Sequence, residues 1–227
     1  MKRGFFITGT DTGVGKTLIA SALVYHFAQS GQRAVGLKPV AAGCAWRDGE
    51  WLSEDSAQLH AASNVALSLQ TVTPYAFEPP LAPHIAAAMV GQRIDIPPIL
   101  AAFEQAAAVA DVVIVEGVGG FRVPLNETED TADLAAQLAL PVILVVAMRL
   151  GCLNHALLTA EAIASRGLKL AGWIANATDP QMAALPENVQ ALKQRIAAPC
   201  LGVVPWDEEA DFVRVATALR NQGLGDL

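Results

Sequence analysis

The 227 residues carry a formal net charge of −7 and are 53% hydrophobic, enough apolar material to fill the core of one domain spanning residues 1–227. With 22 acidic against 15 basic side chains and no basic block, the composition argues against nucleic acid or an acidic membrane surface as partner. Cys44, Cys152 and Cys200 lie far apart and form no Cys-x-x-Cys pair, which argues against a disulfide framework or a zinc site and fits a reducing, cytoplasmic setting.

In chain order, the first predicted strand is 4–8. Lys2 and Arg3 precede it, but Asp11 and Lys16 interrupt the apolar run before a signal peptide could be completed. A helix is predicted over 16–30 with Gly31 as its stop, then a strand over 34–38 that ends on Lys38, where Pro39 blocks helical continuation. Helices follow at 55–62, 83–90 and 97–109, the last two opened by the proline-rich segments EPPLAP and DIPP. A strand at 112–115 precedes Glu116 and the loop GVGG, and a helix is expected at 131–138. The strand at 142–146 follows; the apolar stretch around it contains Pro141 and is shorter than the roughly 20 residues that a membrane helix requires. A helix at 154–166 with Gly167 as stop, a strand at 170–175, a helix at 186–196 and a strand at 201–204 complete the series. Apolar strands alternating with helical stretches indicate an α/β fold, a mostly parallel sheet with helices on both faces.

In such sheets ligands bind beyond the carboxyl ends of strands, so the residues placed there form one group. The first is the loop TGTDTGVGKT. Its strand, glycine turn and helix start direct backbone N–H groups at one point, an anion cradle. Lys16 suits β- and γ-phosphate oxygens and Thr17 suits Mg²⁺, which makes this a P-loop. Gly9 and Gly15 enclose Thr10, Asp11, Thr12, Gly13 and Val14, one residue more than the usual pattern; Gly13 supplies the extra turn. Lys38 brings a second ammonium to the same crevice, fit to hold an anion that receives or transfers phosphate. Glu116 is the stronger candidate metal carboxylate, whereas Asp55, read alone, is a first-turn helix acid behind the N-cap Ser53. Asn176, in WIANATDP, offers donor and acceptor to an adenine edge; with Asp179 it also keeps part of a guanine-reading loop whose lysine is missing. His84 and His155 fall on helix starts and are read as capping or interface residues rather than bases.

Taken together, TGTDTGVGKT, GLKPVAAG, SEDS, VEGVGG, LGCLNHALLT, AGWIAN and VPW resemble the dethiobiotin synthetase family over nearly the whole chain. The resemblance implies a cytoplasmic homodimer that closes the ureido ring of dethiobiotin from 7,8-diaminopelargonate, CO₂ and ATP with Mg²⁺. It implies a phosphate cradle of Gly13, Val14, Gly15, Lys16, Thr17 and Leu18, and a metal site of Thr17, Asp55 and Glu116. Glu116, Gly117, Val118 and Gly119 would line the nucleotide, Asn176 would read adenine, and Pro205, Trp206 and Asp207 would border the base. Lys38 would be the catalytic lysine with Lys16 on the transferring group, and Thr12 would sit near the reacting nitrogen. Gly151, Cys152, Leu153 and Asn154 would bind the substrate carboxylate across the dimer interface. Two departures stand out: Ala42 replaces a Ser or Thr frequent in relatives, and Gly13 replaces a Glu found in some. The alternative reading is a regulatory P-loop switch of the positioning-ATPase type; against it, Asp11 stands where those proteins tend to carry a lysine.

Overall fold

The protein, a computed structural model, is described over residues 3–47 and 49–224; Met1, Lys2, Asp48 and residues 225–227 lie outside the described residues. Its frame is a six-stranded sheet in the order β10-β9-β8-β1-β7-β2. These strands are β1 (Arg3–Gly9), β2 (Ala34–Leu37), β7 (Val112–Glu116), β8 (Val142–Met148), β9 (Leu170–Ala177) and β10 (Cys200–Val204), and every pairing among them is parallel. All five residues of β7 and all seven of β8 are buried, as strands covered on both faces require.

Alternation along the strands sends side chains into two cores. Phe5 and Ile7 of β1, with Val112 and Ile114 of β7, face α1 (Lys16–Gln29), α2 (Glu54–Ala62) and α9 (Phe212–Arg220). Phe6, Val113 and Val115 face the opposite core, shared with α4 (Pro83–Met89), α5 (Ile96–Val109), α6 (Thr131–Leu138), α7 (Cys152–Ser165) and α8 (Leu185–Arg195). Trp173, on β9, is fully buried in this second core. Helix α6 starts on a reciprocal cap, Asp130 and Asp133 each accepting from the other's backbone N–H. No helix among the described residues is long and apolar enough to cross a membrane.

All six expected strands and all seven expected helices form, most ends moving by one or two residues. Beyond the expected elements there are a two-stranded parallel sheet of β3 (Val40–Ala42) and β6 (Tyr75–Phe77), an antiparallel hairpin of β4 (Ala45–Arg47) and β5 (Glu50–Leu52), the short α3 (Leu69–Val72), and α9. In the hairpin Trp46 lies opposite Trp51, their rings 5.2 Å apart edge to face.

The feature that positions a site is the place of β1. It lies between β8 and β7, so the chain crosses to opposite sides of β1 and leaves a crevice beyond its carboxyl end.

Candidate active site

At that crevice β1 ends on Gly9 and helix α1 begins at Lys16. Gly15 caps α1 with a left-handed backbone, φ 88°, and no side chain caps the helix; no acid occupies its first turn. The first N–H groups of α1 are thus left without a side-chain acceptor and the helix end keeps its positive pole, both favourable to an anion. Gly15 is also fixed by space: a Cβ there would lie 2.2 Å from Asn176 Nδ2.

Five side chains converge beside this loop. Lys16 is buried, and its Nζ donates to the Asp11 carbonyl at 2.9 Å. Thr17 Oγ1 lies 2.8 Å from Asp55 Oδ1 and 2.9 Å from Glu116 Oε1. Lys38 Nζ sits 2.6 Å from Glu116 Oε1 and 2.9 Å from Asp55 Oδ2, and donates to the Gly117 carbonyl at 3.2 Å. Strand ends place Lys38 and Glu116; α2 delivers Asp55. The N-cap of α2 is Ser53, whose Oγ accepts from the Ser56 N–H at 3.0 Å, and a buried hydroxyl chain runs on through Ser56 to Thr73.

Burial and charge tune these groups differently. Burial works against the Lys38 ammonium, but Glu116 and Asp55 outweigh it and hold its pKa above the ordinary lysine value. Lys16 lacks so close a counter-ion: burial, then repulsion from Lys38, bring it down to about 8. Burial raises the Glu116 carboxyl above its ordinary value despite Lys38, whereas for Asp55 burial is outweighed by the Lys38 charge together with hydrogen bonds from Lys38 and Thr17 and the charge of Lys16, which leave it below. The pair Lys38 and Glu116 pull in opposite senses, and the cation prevails because it faces two carboxylates at once.

The donor set fits Mg²⁺. Glu116 Oε2 is buried with no hydrogen-bond partner among the described residues, next to a hydroxyl and a second carboxylate. A hard cation that prefers few carboxylates, with phosphate oxygens completing its shell, matches Thr17, Asp55 and Glu116.

A cleft of about 950 Å³ joins these groups. It is lined by Thr12, Gly13, Gly15, Lys16, Thr17, Leu18, Lys38, Asp55, Glu116, Val118 and Gly119 from the sequence-based site, and also by Ala42, Gln58, Val123 and residues 80–83; of these, the sequence marks Ala42 as a departure from relatives and residues 80–83 only as the start of a helix. Asn176 lies behind the loop: its Nδ2 donates to the Val14 carbonyl at 2.9 Å, so part of its amide is committed to the loop itself. Pro205, Trp206 and Asp207 are exposed and do not line the cleft. Cys152, Leu153 and Asn154 form the first turn of α7, which starts two residues earlier than expected, with Gly151 as a left-handed cap at φ 93°. They too lie outside the cleft lining. Arg149, which no sequence motif singled out, donates from Nη2 to Asp11 Oδ2 at 2.8 Å.

A family model described as an AAA domain matches residues 3–214. The chain is 59% identical over 221 residues to the ATP-dependent dethiobiotin synthetase BioD of Aromatoleum aromaticum, covering 97% of this chain and 98% of that one. It is 51% identical over 216 residues to the protein of the same name from Xanthomonas oryzae pv. oryzae strain PXO99A, covering 95% and 96%. Among solved structures it is similar in fold to a ParA family ATPase from Chlorobium tepidum TLS, with TM-score 0.57 and 16% identity over 100% of this chain and 92% of that one. The septum site-determining protein MinD from Pyrococcus horikoshii OT3, solved with Mg-ADP, gives TM-score 0.57 and 15% identity over 99% and 91%.

Proposed function

The chain belongs to the dethiobiotin synthetase family, and from that premise we propose how its cleft carries out an ATP-dependent ring closure on 7,8-diaminopelargonate and CO₂. The enzyme is an ATP-dependent carbon-nitrogen ligase of biotin biosynthesis. The observation that carries the mechanistic reading is Lys38: a second buried ammonium, fixed between two carboxylates beside the phosphate loop, which phosphate binding alone does not require.

One amine of the substrate and CO₂ combine to a carbamate with release of a proton, and the carbamate's anionic oxygen makes the carbonyl carbon a poor target for the second amine. Transfer of the γ-phosphoryl group of ATP to that oxygen forms a carbamic-phosphoric anhydride and releases ADP. The second amine then attacks the carbonyl carbon, the C–O bond to phosphate breaks, and the ureido ring closes with release of phosphate and a proton. Both partners in the phosphoryl step are anions, so cations fixed in advance stabilise the charge that develops. Lys38 holds the carbamate; Lys16 follows the transferring phosphoryl group. Thr17, Asp55 and Glu116 hold Mg²⁺, which when bound screens the phosphate charge. Ring closure depends on proximity more than on a base.

The remaining assignments extend this reading. Thr12 lies near the reacting nitrogen. The backbone of residues 13–18 and the stretch Glu116, Gly117, Val118 and Gly119 line the nucleotide, with Asn176 and Pro205, Trp206 and Asp207 toward the base. Gly151, Cys152, Leu153 and Asn154 receive the substrate carboxylate from a partner subunit; support comes from the uncapped, acid-free first turn of α7. On this reading the protein is a cytoplasmic homodimer, and residues 1–227 form one domain. Purified protein should release ADP only when diaminopelargonate and CO₂ are both present; rapid ATP hydrolysis without the diamine would count against the assignment.

A further inference from the structure

Strands β1 and β8 are parallel neighbours, so the segments that follow them leave the same edge of the sheet side by side; the Thr10 N–H donates to the Val145 carbonyl at 3.0 Å, extending their pairing. Arg149 directly follows β8, and Asp11 is the second residue beyond β1. We propose that Arg149 is a positioning residue for nucleotide binding, acting through Asp11, whose charge it neutralises at the mouth of the phosphate loop. The proposal uses only the nucleotide-binding part of the reading above.

Asp11 is a junction in this loop. Its Oδ1 accepts the Thr12 N–H at 2.8 Å, its carbonyl accepts Lys16 Nζ at 2.9 Å, and its Oδ2 accepts Arg149 Nη2 at 2.8 Å. A carboxylate is an unexpected group in a loop that must accept a polyphosphate, because its charge opposes the ligand. Asp11 serves the loop by tying down the Thr12 N–H, and Arg149 balances the charge that comes with it. Both side chains are about half exposed, at 50% and 46%, so the pair adds little to the stability of the fold. Its effect falls on the ligand, where a unit charge within several ångströms of a triphosphate changes affinity severalfold. The same arginine stands two residues before Gly151, the cap of α7, and so links the phosphate loop to the turn that starts this helix.

The test is calorimetric titration of the full-length protein with Mg²⁺ and a non-hydrolysable ATP analogue. Arg149→Ala should weaken binding about five- to tenfold at low salt and less at high salt, while Arg149→Lys stays within about twofold. Adding Asp11→Asn to Arg149→Ala should recover most of the loss, since the amide oxygen still accepts from Thr12 and the opposing charge is gone. A purely structural arginine would not be rescued by that second change. Wild-type affinity in Arg149→Ala overturns the proposal, and so does a double variant as weak as Arg149→Ala with an unchanged melting temperature. Dethiobiotin formation by the wild type is assayed in parallel; its absence would refute the ring-closure reading while the titrations still decide the role of Arg149.

Discussion

Replacing Lys38 with Ala removes an ammonium that is 3% exposed and holds Glu116 at 2.6 Å and Asp55 at 2.9 Å. The first consequence is for folding. Removing one member of a buried ion pair costs about 3–5 kcal/mol when the charge left behind stays buried. Here the Asp55 side chain is 42% exposed and turns to water, so the loss belongs at the lower end, about 3 kcal/mol, and comes mostly from Glu116. That carboxyl already lies above its ordinary value because it is buried; without Lys38 it rises further. A group whose pKa is higher in the folded than in the unfolded protein stabilises the fold below its unfolded value and loses that contribution as pH rises through the folded one. The variant should therefore be least stable relative to wild type at alkaline pH and close part of the gap as pH falls toward the ordinary carboxylate range. The second consequence is for catalysis. A preorganised cation on developing negative charge contributes on the order of 10²–10³ in rate, so kcat for product formation should fall by that factor. Lys16, Thr17 and the uncapped N–H groups of α1 remain, so Mg·ATP affinity should change by less than about threefold. Chromatographic quantification of dethiobiotin beside nucleotide titration separates the two effects. Loss of affinity and of product formation by the same factor would refute the reasoning and make Lys38 a nucleotide ligand.

Lys16, brought down to about 8 by burial and by Lys38, should take up a proton when a polyphosphate binds; calorimetry at pH 8 in buffers of different ionisation enthalpy should show uptake near half a proton, fading toward pH 6.5. Gly15→Ala places a Cβ 2.2 Å from Asn176 Nδ2 at φ 88°; strain of about 1–2 kcal/mol plus a displaced loop should weaken nucleotide binding more than tenfold, and near-wild-type affinity would show that the loop adapts. Ser53→Ala removes the N-cap of the helix that carries Asp55; a stability loss of about 1–2 kcal/mol in urea unfolding, together with a higher KM for Mg·ATP, is expected.

What the sequence revealed depended on whether the signal was local. Strands β7 and β8 are apolar throughout and Gly31 and Gly167 mark helix stops, so the sheet and its helices were readable. The same holds for Lys16 and Thr17, which open the helix after the glycine loop, and for Glu116, which ends a strand. Asp55 was ambiguous, because as a first-turn acid it already satisfied a helix rule; only packing of α2 against α1 carries it to Thr17, 38 residues earlier in the chain. The pairing of β3 with β6 joins segments of three residues each, too short for period-two alternation to register. Helix α9 did carry a pattern, Phe212, Val215, Ala216 and Leu219, directly after an acidic run, but the predicted series ended with the strand before it. Arg149 and Asp11 meet across 138 residues, a contact that exists only because β1 and β8 are neighbours in the sheet.

A site for anionic ligands that contains Asp11, Asp55 and Glu116 raises an electrostatic question, because three carboxylates oppose the ligand on their own. Each is paired with a cation or committed to a hydrogen bond: Asp11 to Arg149, Asp55 and Glu116 to Lys38 and Thr17. The contrast between the two lysines shows what the pairing achieves. An ammonium removed from water tends to lose its proton, and Lys16, whose hydrogen-bond partner is a carbonyl, has moved in that direction to about 8. Lys38 is more deeply buried yet lies above its ordinary value, because its partners are carboxylates. Lys38 therefore carries its charge before any ligand arrives, as its proposed role on a carbamate requires. Lys16 can instead gain its proton from the ligand's own charge, because ATP brings several negative charges to it. The carboxylates, which on their own oppose an anionic ligand, are what keep the second cation charged and in place.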